Sequence, residues 1–188
     1  LLLELARDLL ARAEADAAHP IPVAVNLSVA QLTHSNFVQT VVEALGRHRL
    51  TPDLIELEIT ESLLMDGGSE ALGTLDELAR LGISLAVDDF GTGYSSLAYL
   101  KRLPIDRLKI DRSFVSSVHT DRSDAAVVRA IIAIAQELEL SVVAEGIESA
   151  EQAQALADLG CRYAQGYFFG RPMAPRALFD RVSSHCTR

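Results

Sequence analysis

Apolar and polar positions along the chain alternate between two periods, which predict strands and helices in turn. Strand-like segments cover residues 21–28, 54–60, 83–89, 106–110, 141–145 and 162–169. Helical spacing covers residues 35–46, 69–81, 95–102 and 124–139, then a helix capped by Ser149 and Gln152 that ends near Gly160, and a last helix from Pro175 through Val182. The pattern predicts six strand–helix units in one domain over residues 1–188.

This alternation of strands and helices predicts an α/β fold with a largely parallel sheet and helices outside it. An open doubly wound sheet and a (β/α)8 barrel both fit the pattern, the barrel being incomplete with about six βα units. No glycine-rich phosphate loop follows the first strand, which disfavours a dinucleotide-binding site. Gly46 and Gly82 are expected to end the helices that precede them.

Polar residues lie at or near the ends of the apolar strands, about one βα unit apart. They are Asn26, Glu58, Asp88, Asp89, Lys109, Glu145 and Gln165. In a parallel barrel these ends gather on one rim, where clustered carboxylates are costly unless a cation neutralises them. Asparagine and carboxylate oxygens favour Mg2+ or Mn2+ over Zn2+, and the adjacent aspartates suggest a second ion. Two such ions can activate a water molecule and stabilise the leaving oxygen of a phosphodiester.

Each of these residues also has a simpler interpretation when it is taken alone. A single asparagine or glutamate at a strand end commonly caps a helix or contacts a loop. Lys109 by itself is typical of a surface ion-pair partner, and a barrel lysine can also form a Schiff base. The convergence of all the polar residues on one rim favours the metal site.

The composition restricts the partners and the compartment. With 26 acidic and 17 basic residues the net charge is −9, which disfavours a nucleic acid polymer as partner. No run approaches the roughly 18 apolar residues of a membrane span, and Cys161 and Cys186 form no close motif. We therefore expect a cytoplasmic domain, or the cytoplasmic part of a membrane-bound protein. The chain opens without methionine in a helix-like stretch, so we expect its natural beginning to be missing.

Six segments resemble the motifs of the EAL domain of bacterial cyclic di-GMP phosphodiesterases, in order and at similar spacing. They are Asn26-Leu27-Ser28, Glu58-Ile59-Thr60-Glu61, Asp88-Asp89-Phe90-Gly91-Thr92-Gly93-Tyr94-Ser95-Ser96, Leu108-Lys109-Ile110-Asp111, Ala144-Glu145-Gly146-Ile147-Glu148 and Gln165-Gly166-Tyr167. The resemblance runs from about residue 22 to about residue 180. It implies a TIM-like barrel, dependence on Mg2+ or Mn2+, and hydrolysis of cyclic di-GMP to linear pGpG.

The resemblance also implies a set of metal ligands. Asn26, Glu58 and Asp88 would ligate metal, with Asp88 bridging two ions and Asp89 on the second. The family's own Glu-Ala-Leu segment, whose glutamate is a further ligand, has no counterpart in this chain. The first two strands of a complete barrel would be missing with it.

The remaining motif residues are implied to act on water and on a loop. Lys109 would hold the catalytic water, Glu145 would act near the second ion and assist as a base, and Gln165 would complete the site. Glu61 and Glu148 would anchor the loop 89–96.

Two glycines, Gly91 and Gly93, make the loop 89–96 a plausible hinge. In the family this loop links metal binding to dimerisation, so we expect a homodimer. We also expect an upstream sensory or cyclase-like domain in the full-length protein. The alternatives to an active enzyme are a catalytically impaired cyclic di-GMP receptor module and a dimerisation fragment without ligand affinity.

Overall fold

Six parallel strands form a single curved sheet in the computed structural model, which describes residues 22–61, 68–93, 100–174, 177, 178 and 181. The strands are β1 (Val23–Asn26), β2 (Ile55–Thr60), β3 (Ser84–Phe90), β4 (Arg107–Ile110), β5 (Ser141–Ala144) and β6 (Tyr163–Ala164). Each strand pairs with the next one along the chain. This order never reverses, so the doubly wound alternative is excluded and the incomplete barrel with six strands is confirmed.

Helices cover the outer face of the sheet. Those within the described residues are α1 (Val29–Leu32), α2 (Phe37–His48), α3 (Gly68–Arg80), α4 (Arg112–Val115), α5 (Arg122–Glu137) and α6 (Ala150–Asp158), with a 3-10 turn at Pro52–Leu54. The helix α6 begins with the predicted capping box, in which the Ser149 hydroxyl accepts from the Gln152 N–H and the Gln152 side chain accepts from the Ser149 N–H. None of the helices in this described part is long and apolar enough to cross a bilayer.

Two predicted boundaries are wrong. The helix α2 continues through Gly46 to His48, because Arg49 adopts the left-handed conformation that ends it. The last strand stops at Ala164 instead of running to residue 169, since the chain turns at Gly166 and hydrogen-bonds to Ile147. The predicted helices over 95–102 and from Pro175 to Val182 lie largely outside the described residues.

The core lies between the sheet and the helices, and it sets the stability of the half-barrel. Leu85 on β3 is fully buried within it. We expect Leu85→Ala to lower the free energy of unfolding by about 2–5 kcal/mol, because it removes buried methyl groups and leaves a cavity. Urea denaturation followed by circular dichroism measures this change. The partly exposed Leu81 provides the control, since Leu81→Ala is expected to cost less than about 1 kcal/mol.

Candidate active site

Alternate residues of β2 and β4 carry charged side chains on the concave face of the sheet. On β2 the apolar positions alternate with Glu56 and Glu58, and on β4 Arg107 and Lys109 alternate with Leu108 and Ile110. The two pairs meet across β3, with Arg107 Nη1 at 2.9 Å from Glu56 Oε2 and Lys109 Nζ at 2.6 Å from Glu58 Oε1. The barrel interior therefore holds two layers, each with a pair of oppositely charged side chains, and the upper layer contains predicted site residues.

Lys109 is the centre of the upper layer. Its ammonium nitrogen lies 2.6 Å from Glu58 Oε1, 3.0 Å from Asp88 Oδ1 and 2.6 Å from Glu145 Oε1. The lysine side chain is only 5% exposed, so these contacts are shielded from solvent. The predicted residues from β2, β3, β4 and the end of β5 thus converge on one nitrogen.

This arrangement keeps the lysine charged and raises the proton affinity of one carboxyl group. Burial opposes the charge on Lys109, but hydrogen bonds to Glu145 and Glu58 outweigh it and raise its pKa above the ordinary value. Burial raises the pKa of Glu145, the Lys109 contact lowers it, and the charges of Asp88 and Glu58 raise it further. Lys109 remains an ammonium at neutral pH, whereas Glu145 has more affinity for a proton than an ordinary glutamate.

Three carboxylates form a cluster beside the lysine. Asp88, Asp89 and Glu145 each offer one oxygen, and these oxygens lie within 4.8 Å of one another. Burial raises the pKa of Asp89, and the neighbouring charges of Asp88 and Asp111 raise it further. Oxygen donors held this close repel one another unless a cation lies between them, and a hard divalent cation fits such a donor set.

A break in strand geometry brings Asp88 and Asp89 together. Consecutive strand residues normally point to opposite faces of a sheet. Here the register between β3 and β4 shifts between Val87 and Phe90, and Asp89 takes a φ of 53°, in the left-handed region. Because of this irregularity, both aspartates reach the rim of the barrel.

Gln165 and Asn26 lie at opposite edges of the same rim. The Gln165 Nε2 donates to Glu145 Oε1 at 2.6 Å, so it holds the carboxylate that Lys109 also contacts. Asn26 ends β1 directly beside Glu58 in the sheet register, and it is exposed. Within the described ranges no hydrogen bond joins the Asn26 side chain to the cluster, although the register places it at this rim.

Glu61 follows β2 and holds the start of the glycine loop. Its Oε2 accepts the N–H of Gly91 at 3.0 Å and the N–H of Gly93 at 3.3 Å. The side chain is 2% exposed, and a Cβ on Gly93 would lie 2.8 Å from Glu61 Oε1. A side chain at position 93 would therefore force the Glu61 carboxylate to move from this position.

Glu148 is placed differently from Glu61. Its side chain is exposed, and its backbone N–H donates to Gln152 Oε1 at 2.7 Å. No contact with residues 89–93 is found among the described residues, and the rest of the predicted loop lies outside them. The anchoring role of Glu148 stays a prediction.

The sequence interpretation assigned no role to two features of the site. Asp111 contacts Asp89 and caps α4 through the Ser113 N–H at 3.0 Å. Burial raises the pKa of Asp111, but its hydrogen bonds, those from Ser113 first, together lower this pKa below its ordinary value. The ion pair between the buried Glu56 and the half-buried Arg107 underlies the site. Both had a signal in the sequence: Asp111 ends a quoted motif, and the charged residues alternate with apolar ones in β2 and β4.

A cavity of about 630 Å³ opens next to Gln165. Its wall includes Gly146, Tyr167 and Arg171, and the Arg171 guanidinium stacks 4.8 Å from the centre of the Tyr167 ring. Flat aromatic and guanidinium surfaces suit planar bases, and arginine also suits phosphate. A large anionic ligand with planar rings can therefore lie across this rim.

Comparison with known sequences identifies one family and its relatives. The model of the EAL domain family matches residues 1–172. The bifunctional diguanylate cyclase/cyclic di-GMP phosphodiesterase MucR of Pseudomonas aeruginosa is 47% identical over 161 residues, covering 86% of this chain and 24% of MucR. The chain thus spans about a quarter of that relative's length.

Solved structures share the fold and hold relevant ligands. The MucR phosphodiesterase in complex with c-di-GMP superposes with a TM-score of 0.86 at 45% identity, covering 94% of this chain and 71% of the MucR structure. BlrP1 of Klebsiella pneumoniae, in a complex with manganese and cyclic di-GMP, gives a TM-score of 0.82 at 31% identity, covering 92% of this chain and 44% of BlrP1.

Proposed function

The chain belongs to the EAL domain family, and we propose that it hydrolyses cyclic di-GMP to linear pGpG in a reaction that depends on a divalent metal. The observation that carries this proposal is the convergence of the Asp88, Asp89 and Glu145 oxygens within 4.8 Å, beside Lys109. The similarity to MucR, whose solved complex contains the same dinucleotide, supports the choice of substrate.

The donor set supports a centre for two Mg2+ or Mn2+ ions. Asn26, Glu58 and Asp88 would hold the first ion, and Asp88 and Asp89 the second, all through oxygen atoms. Such ions, when bound, lower the pKa of water and stabilise negative charge on phosphate oxygens. The complex of BlrP1 with manganese supports a divalent ion at this kind of site.

Three residues of the chain would orient and deprotonate the attacking water. Lys109 donates a hydrogen bond that orients the water oxygen, and Glu145 accepts a proton from it, which suits the raised pKa of this carboxyl group. Gln165 keeps the Glu145 carboxylate in place through its 2.6 Å hydrogen bond. The water oxygen then bonds to phosphorus, the bond to the ribose 3′ oxygen breaks, and that oxygen takes up a proton.

The assembly and location of the protein are further parts of the proposal. We propose that the protein is a cytoplasmic homodimer. We also propose that a sensory or cyclase-like domain precedes this domain in the full-length protein, which the much greater length of MucR supports. Sedimentation of the chain with and without Mg2+ tests the dimer.

Removal of metal tests the proposed reaction directly. We expect conversion of cyclic di-GMP to pGpG with Mg2+ or Mn2+, and loss of at least about 100-fold in rate in excess EDTA, because the oxygen cluster then lacks its cations. Chromatography of the nucleotides measures both products and rate, and re-addition of metal is the control for irreversible damage. Tight binding of the dinucleotide without turnover in either condition would contradict the enzyme and indicate a receptor module.

A further inference from the structure

The three polar hydrogens of the Lys109 ammonium are all engaged by the protein. A lysine ammonium has three N–H donors, and three carboxylates contact this one, from Glu58, Asp88 and Glu145. No donor is left for a water molecule in this arrangement. The role of holding the catalytic water therefore requires at least one of these contacts to break.

The charge balance of the same four groups identifies what can break a contact. Three carboxylates face one ammonium, so the four groups carry a net charge of −2, and their side chains are only 5–17% exposed. A divalent cation restores neutrality. Glu58 and Asp88, which are expected to ligate that cation, are two of the three partners of Lys109.

We propose that Lys109 is the counter-cation of the metal-free site, and that metal binding draws Glu58 and Asp88 away from it and frees an N–H for the attacking water. The inference rests on the proposed function, because it assumes a divalent ion at this cluster. It assigns Lys109 a second role, in which it holds the carboxylates together before metal arrives and then competes with the metal for them.

The competition predicts that a neutral side chain at position 109 strengthens metal binding. A unit positive charge next to a divalent cation repels it, and this repulsion is stronger in a buried site than in water. We therefore expect Lys109→Met to bind Mn2+ at least about tenfold more tightly than the wild type. Isothermal titration calorimetry of the full chain without substrate measures this affinity.

Arg107 offers a matched control on the same strand. It carries the same charge one layer below, where it pairs with Glu56 at 2.9 Å instead of with an expected metal ligand. We expect Arg107→Met to change Mn2+ affinity much less than Lys109→Met does. Unchanged or weaker affinity in Lys109→Met, or an equal gain in both variants, would overturn the proposal.

The wild-type chain provides a second measurement that does not depend on the folding of a variant. The chain contains two lysines, the exposed Lys101 and the buried Lys109, so 15N labelling of lysine gives two side-chain nitrogen signals. The variant Lys101→Arg assigns them. We expect saturating Mg2+ to shift the Lys109 Nζ signal and to speed exchange of its protons with water, while Lys101 is unaffected. A Lys109 signal that stays the same at saturation would contradict the proposal.

The two proposals fail in different ways. If the wild type shows metal-dependent turnover but Lys109→Met binds Mn2+ no more tightly than the wild type, the proposed second role of Lys109 is wrong and the phosphodiesterase activity still stands. A wild-type chain that neither binds Mn2+ nor hydrolyses cyclic di-GMP overturns both.

Discussion

Asp88→Asn will reduce the hydrolysis of cyclic di-GMP by at least about 100-fold, because loss of a metal ligand should exceed the 10–100-fold effect typical of outer-shell residues. Asp88 belongs to the carboxylate cluster, lies 3.0 Å from the Lys109 ammonium nitrogen, and would ligate both ions. Asparagine keeps the shape but removes the charge and one oxygen donor. Initial rates at saturating Mg2+, together with Mn2+ affinity by calorimetry, measure both effects.

The control for this variant is an aspartate of the same chain outside the site. Asp158 ends α6, is exposed, and accepts a hydrogen bond from Gln154 Nε2 at 2.8 Å. Asp158→Asn is expected to retain wild-type turnover within about twofold, since it removes the same charge without touching the cluster. If Asp88→Asn retained more than about a tenth of the activity with normal metal affinity, the assignment of Asp88 as a ligand would be wrong.

The sequence predicted the shared position of the candidate residues because polar residues lie at the ends of its apolar strands. Glu58, Lys109 and Glu145 lie at or near the ends of short apolar strands, and parallel strands place such ends on one rim. A strand repeats every two residues, so an isolated charge in an apolar run is directed to one face. The convergence of these residues on one nitrogen is the three-dimensional result of that pattern.

The backbone conformations at Asp89 and Gln165, which complete the site, could not be predicted from the sequence pattern. A regular strand predicts that Asp88 and Asp89 face opposite sides, and only the register shift and the positive φ of Asp89 bring both to the rim. Gln165 was placed inside a strand, whereas the chain leaves the sheet after Ala164. These are tertiary effects, because they depend on what β3 and β6 pack against and on their hydrogen-bond partners.

The predicted end of α2 was wrong for a local reason. Glycine lowers helix propensity by only about 1 kcal/mol, so Gly46 does not end α2 when the residues after it still bury apolar surface or find caps. Arg49 ends the helix in a left-handed conformation that arginine adopts less readily than glycine does. The sequence alone therefore predicted the six strands better than the ends of the elements, and it missed the short helices α1 and α4.

Glu61→Ala will lower turnover by about 100-fold, because a displacement of about 1 Å in a catalytic group can have an effect of that size. The Glu61 carboxylate is buried and accepts the N–H groups of Gly91 and Gly93 at 3.0 and 3.3 Å, two and four residues after Asp89 in the chain. Alanine leaves both N–H groups without this acceptor and removes what fixes the loop beside the metal cluster. Initial rates and Mn2+ affinity measure the effect on the site, and thermal unfolding measures the effect on the fold.

Two controls separate loop anchoring from general destabilisation. Glu61→Gln keeps one acceptor oxygen of the same size, so it should recover a large part of the rate that Glu61→Ala loses. Glu77→Ala, at an exposed position of α3, should change neither the rate nor the melting temperature appreciably. If Glu61→Ala were less stable yet retained wild-type turnover and Mn2+ affinity at a temperature where it is folded, the carboxylate would support the fold without positioning the site. Equal losses in Glu61→Ala and Glu61→Gln would instead show that the negative charge of Glu61, and not its accepting geometry, holds the loop beside the cluster.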